Sequence, residues 1–177
     1  MYAPVDIAPG GESRAEVALS NISSALWHIR ELLDLLTFKL ETEQVLVAAG
    51  RSRWLGRATH EVELVLEELR HAELRRTIEL GDVAEALGLG PDMSLGELAE
   101  AAPSPWNDVL TDHRESLISS TTEISALAET NRELLDANYS ALKDALGLLS
   151  PAPAPAMYTA DGATSPQTTR RLFDQST

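Results

Sequence analysis

Two short patterns in this chain have residue types and spacing that could bind a metal ion. Glu68 and His71 form a Glu-x-x-His pattern, which supplies ligands in helical bundles that hold two iron ions. Such a site needs a second copy of the pattern and two further glutamates, and the sequence has no second copy. His60-Glu61 lacks the second histidine of a zinc-protease motif. We therefore interpret Glu68 and His71 as surface residues of a helix, and His28 as an ordinary flanking residue rather than a ligand.

The remaining signals for catalysis are also missing from the sequence. The glycines at 81, 88, 90 and 96 lack the Lys-Ser/Thr ending of a phosphate-binding loop and follow no strand pattern. The chain has no cysteine, which excludes disulfides and thiolate metal sites. We predict that the protein is not an enzyme and uses no metal or cofactor.

The charge of the chain excludes two classes of partner. The formal net charge is −14, whereas phosphate binding needs clustered Lys and Arg, so we expect no nucleic-acid binding. The same charge argues against an anionic membrane surface. No apolar run approaches the ~20 residues needed to cross a bilayer, and the N-terminus has no signal-peptide pattern. We expect a cytoplasmic protein without direct membrane insertion.

The apolar residues of the chain follow the repeat of long helices, which must position any functional side chain. The first helix is predicted over 14–49. Its apolar residues recur in steps of three and four, the spacing of a coiled-coil seam: Leu19, Ile22, Leu26, Ile29, Leu33, Leu36 and Leu40. The second helix is predicted over 53–80, with a buried stripe flanked by Leu55 and Leu66: Ala58, Val62, Val65, Leu69 and Ala72.

A third long helix is predicted over 105–149. The first part of its seam has polar residues between the apolar ones: Leu110, His113, Leu117, Ser120, Ile124, Leu127 and Asn131. Since the sequence has no strand pattern, we predict an all-α fold, an elongated antiparallel bundle or coiled coil of three long helices with disordered termini.

Between the second and third helices, residues 81–104 are predicted to form an insertion, a short helical hairpin. Gly81 is expected to end the second helix, and Asp82 to cap the first short helix. Ser94 and Glu97 have the spacing of a capping box for the second one. All charged residues of this pair are acidic, which excludes a DNA-binding helix-turn-helix.

The two ends of the chain differ from the helical part. Residues 1–13 contain two prolines and a Gly-Gly pair and are predicted to form a flexible arm. Residues 150–177 are predicted to form a flexible tail, because the alternating prolines after Ser150 cannot continue a helix. Met157 and Tyr158 follow this spacer. An apolar pair in polar surroundings indicates a segment that binds a partner.

The last turns of the third helix are richer in apolar residues than its start. From Leu134 to Leu149 they form a broad face, and two interpretations stay open. The face can pack against the first two helices as core. Alternatively, where the helix is longer than its neighbours, the face can accept an amphipathic helix from another protein.

Several segments together resemble the FlgN family of flagellar export chaperones, which are all-helical with a proline-containing spacer before the tail. The tail has Tyr-x-Ala-Asp-Gly at 158–162 followed by Thr-Ser. It departs from the family at Thr159, where a glycine is common. The other similar segments are Glu-Leu-Leu-Asp-Leu-Leu at 31–36, Arg-Trp-Leu at 53–55 and Asn-Arg-Glu-Leu-Leu at 131–135.

The resemblance implies a cytoplasmic chaperone that holds hook-associated proteins, those of the hook–filament junction, and delivers them to the flagellar type III export gate. It implies that Tyr158 contributes to docking on the cytoplasmic domain of that gate. It also implies that the C-terminal amphipathic helix binds the substrate proteins, through Leu134, Leu135, Tyr139, Leu142 and Leu146.

A second class of function stays open. The helices could belong to a non-enzymatic structural or regulatory coiled-coil protein that self-associates. Under the chaperone interpretation we expect a monomer or a weak oligomer, because a strongly acidic chain repels its own copies.

Overall fold

The computed structural model describes residues 9–90 and 92–149, and within these ranges the chain forms four helices and no strand. They are α1 (Pro9–Ala48), α2 (Ser52–Leu87), α3 (Leu95–Ala101) and α4 (Trp106–Leu149). The predicted all-α class is confirmed. The predicted tail at 150–177 and residues 1–8 of the predicted arm lie outside the described residues, and α1 begins before the predicted position 14. The chain divides into two compact units, Met1–Ser140 and Ala141–Thr177.

The predicted seam of α1 forms the core of the first unit. All seven of its residues are buried: Leu19, Ile22, Leu26, Ile29, Leu33, Leu36 and Leu40. From α2, Val65 and Ala72 join this core, and Leu69 is packed against it. Ile124 of α4 packs against the same residues. Burying one such leucine or isoleucine stabilises the fold by about 1.5–3 kcal/mol before chain entropy is counted.

A tight turn joins α1 to α2. Gly50 has a φ of 64°, a left-handed conformation that costs glycine little because it lacks a Cβ. The amide of Arg51 donates to the carbonyl of Leu46 (2.9 Å), and the amide of Gly50 donates to that of Val47 (3.1 Å). This pair of bonds is a Schellman motif, which satisfies the last carbonyls of α1. The short connection makes α1 and α2 antiparallel neighbours.

The end of α2 differs from the prediction. The helix continues through Gly81 and Asp82, so the first of the two predicted short helices is the end of α2. A glycine within a helix costs about 1 kcal/mol relative to alanine, but Val83 is fully buried in the core cluster that contains Leu19 of α1, and Ala84 is 2% exposed. Their burial offsets that cost. The helix ends instead at Leu87 and is followed by Gly88, which has a φ of 69°.

The second predicted short helix is present as α3, and its predicted capping box is confirmed. The amide of Glu97 donates to Ser94 Oγ (3.2 Å), and the amide of Ser94 donates to Glu97 Oε2 (2.7 Å). These hydrogen bonds from the Ser94 backbone and side chain lower the pKa of the Glu97 carboxyl. Leu98 is fully buried in the cluster that contains Leu19 and Leu110. The helix thus covers the start of α1 and α4.

A polar cluster lies within the seam between α1 and the start of α4. His113 is 1% exposed. Its Nδ1 lies 3.3 Å from Arg30 Nη1, and its Nε2 lies 3.1 Å from Ser23 Oγ. Arg30 also donates to Asp112 Oδ2 (2.8 Å), and its guanidinium lies 4.3 Å from the centre of the Trp27 ring. His113, one of the polar residues in the α4 seam, therefore has polar partners despite its burial.

Candidate binding surface

The residues implied to bind substrate proteins lie in the C-terminal part of α4 and differ in exposure. Leu135, Tyr139, Leu142 and Leu146 are spaced by four, three and four positions, the repeat of one face of an amphipathic helix. In the first unit, Leu134 and Leu135 are half-buried, whereas Tyr139 is 71% exposed. In the second unit, Leu142 is 59% and Leu146 57% exposed. Leu134 and Leu135 thus contribute to packing within the first unit, whereas Tyr139 in that unit and Leu142 and Leu146 in the second unit are exposed.

Two asparagines hold this part of α4 against α1. Asn131 is 3% exposed, and its Nδ2 donates to the carbonyl of Leu40 (2.9 Å) and to Glu43 Oε2 (3.2 Å). Seven positions further along α4, Asn138 Nδ2 donates to the carbonyl of Val47 (3.4 Å). Val47 lies close to the end of α1 at Ala48. The change from half-buried leucines to the exposed Tyr139 coincides with this end of α1.

A buried carboxylate also contributes to the contact between α1 and α4. Glu43 is 6% exposed, and it accepts hydrogen bonds from Thr59 Oγ1 of α2 (2.6 Å) and from Asn131 of α4. A buried charge is costly unless it is hydrogen-bonded, and here donors from two helices offset that cost. The sequence analysis did not select Glu43. Glu43 lies three residues after Leu40 and four before Val47, so it continues the spacing of the α1 seam. That spacing was the sequence feature from which its burial could have been predicted.

The histidines considered as metal ligands are surface residues in the structure. Glu68 and His71 are exposed, as predicted, and so are His28 and His60. Each of the three histidines lies 3.5–3.9 Å from a glutamate three or four positions away on its own helix. Within residues 9–90 and 92–149 no group of three or more potential ligands could hold a metal ion. These pairs are ordinary contacts along a helix surface.

Two further predictions have different outcomes. Tyr158, the residue implied to dock on the export gate, lies outside the described residues. As for membranes, the described helices include none that combines the length and the apolar character needed to span a bilayer.

Comparison with known proteins gives one match. A family model described as FlgN protein matches residues 18–166, which is most of the 177-residue chain. The match starts within α1, includes the other three helices, and continues past α4 to include position 158. No curated protein and no solved structure matches the chain significantly.

Proposed function

Because this chain belongs to the FlgN family of flagellar export chaperones, we propose that its cargo is a hook-associated protein. In this proposal the chaperone binds its cargo in the cytoplasm and delivers it to the gate of the type III export apparatus. It acts by binding alone, without catalysis or a cofactor.

The observation that carries the proposal is the exposed apolar surface in the last turns of α4. In the second unit, Leu142 and Leu146 are each more than half exposed, and their spacing of four positions suits the apolar stripe of a partner helix. Contact with such a stripe removes apolar area from water at about 25 cal/mol per Å², before the cost of ordering both partners. A small surface of this kind supports moderate affinity, and moderate affinity suits a chaperone that must release its cargo for export.

We assign gate docking to Tyr158. The segment between Leu149 and Tyr158 contains three prolines, and a proline-rich segment in extended form spans about 3.1 Å per residue. Tyr158 follows Leu149 by nine positions in the sequence. Cargo binding and gate docking could then occur on the same molecule.

The substitution Leu142→Glu tests the cargo surface. We expect it to weaken binding of hook-associated proteins from the same genome by about tenfold or more, because a charge replaces a leucine at the contact. Binding is measured by fluorescence anisotropy with purified proteins. The matched control is Leu64→Glu, since Leu64 on α2 is similarly exposed, at 54%. Equal binding by both variants and the unmodified chain would contradict this role for α4.

A further inference from the structure

A second apolar surface lies in the first unit, on α1, α2 and α4. Two cavities of about 400 and 540 Å³ share Leu36 and Leu66, so they form one continuous groove. Leu36 and Leu40 of α1 are buried at its base. The wall on α2 extends from Val62 to Thr77, which corresponds to about 22 Å of helix. We call this surface the α2 groove.

The α2 groove has apolar side chains that the core does not use. Leu74 is 65% and Leu66 is 38% exposed, although both line the groove. On the opposite wall, Leu135 of α4 is half-buried. A groove about four turns long that is bounded by helices and lined by leucines has the dimensions of a site for one more amphipathic helix.

The charges at the rim of the groove indicate the chemistry of its occupant. On the α2 side, Arg70 is already paired with Glu67 (2.6 Å). On the α4 side, Arg132 and Asp136 are exposed and lie one turn apart, and neither has an ion-pair partner within the described ranges. An occupying helix with an acidic and a basic residue one turn apart complements these two charges.

The charge of the chain favours a partner protein over a second copy as the occupant of the groove. Each copy has a formal net charge of −14, so two copies repel each other.

We propose that the α2 groove binds an amphipathic helix of the exported cargo, which then lies as a fourth helix beside α1, α2 and α4. This inference rests on the proposed chaperone function and extends the cargo surface to α2. The cargo helix has apolar residues at the spacing of one helix face, with an acidic residue opposite Arg132 and a basic residue opposite Asp136.

The substitution Leu74→Glu in the full-length chain tests this proposal. The probe is a fluorescently labelled peptide of the terminal helical segment of a hook-associated protein from the same genome, and its affinity is measured by anisotropy. Leu64→Glu is the matched control, because Leu64 lies on the same helix, is exposed to a similar degree and does not line the groove. Circular dichroism checks that both variants fold.

We expect Leu74→Glu to weaken peptide binding by about tenfold or more and Leu64→Glu to leave it within about twofold. If Leu74→Glu binds normally while Leu142→Glu does not, the groove proposal is overturned and the chaperone function stands. If no hook-associated peptide binds the unmodified chain, the proposed function fails and this inference fails with it. Self-association that Leu74→Glu abolishes, with peptide binding intact, would assign the groove to a second copy and overturn the proposal.

Discussion

At the scale of single residues, His113 shows how a polar group is accommodated in the helical core. Arg30 can only donate a hydrogen bond, so its contact with His113 Nδ1 leaves the ring proton on Nε2, which donates to Ser23 Oγ. Burial, together with the nearby positive charge of Arg30, lowers the pKa of His113. The folded chain therefore favours the neutral imidazole.

This preference makes the stability of the protein depend on pH. Because the pKa of His113 is lower in the folded than in the unfolded chain, the unfolded chain binds more protons near the ordinary histidine pKa of about 6.5. The stabilisation is complete above this value and is lost as the pH falls through it. We expect the free energy of unfolding, measured with urea from pH 8 to pH 5, to decrease on acidification.

His113→Gln should reduce this decrease, whereas the exposed His71→Gln should retain it. The comparison uses the slopes of stability against pH, so a difference in absolute stability between the variants does not affect it. An unchanged slope in His113→Gln would show that another group is responsible.

At the scale of helices, the structure separates what local sequence determines from what packing determines. The seam of α1 and the capping box of α3 were predictable because spacing and local hydrogen bonding define them. The continuation of α2 through Gly81 was not, because it depends on the burial of Val83 in a cluster with Leu19 and Ile22 of α1. The α2 groove was missed for the same reason, since Leu66 and Leu74 acquire their surroundings only when the helices assemble.

Gly81 within α2 and Gly88 just after its last residue provide a matched test of this account. Gly81 lies inside the helix with open space where a Cβ would be, whereas Gly88 has a φ of 69° at the helix end. We expect Gly81→Ala to raise the free energy of unfolding by about 0.5–1 kcal/mol. Gly88→Ala should lower it by about 1 kcal/mol or more, because a Cβ is strained at positive φ. Urea denaturation measures both, and destabilisation by Gly81→Ala would contradict a continuous α2.

The candidate site on α4 was predictable in part. The sequence located an apolar face between Leu134 and Leu149 and left open whether it is core or free. In the structure the burial of this face decreases along the helix, since Leu134 and Leu135 are half-buried whereas Tyr139 is exposed. The position of the change depends on where α1 ends, and the spacing of α4 residues alone contains no information about that.

At the scale of the whole molecule, the proposed function divides the work between two parts of the chain. In this proposal, the apolar surfaces on the helices bind cargo, and Tyr158 docks on the export gate. The strong negative charge supports this division, because repulsion between like charges opposes the association of copies that expose leucines. It also separates the proposal from the alternative of a self-associating coiled-coil protein, in which the same leucines would contact another copy.

The most direct test of this division compares the full-length chain with a chain that ends at Ser150. Both are used to co-purify hook-associated proteins and the cytoplasmic domain of the export gate. The account predicts that the shortened chain retains the cargo and loses the gate, because cargo binding belongs to the helices and gate docking to Tyr158. Loss of cargo on removal of the tail, or retention of the gate without it, would contradict the account.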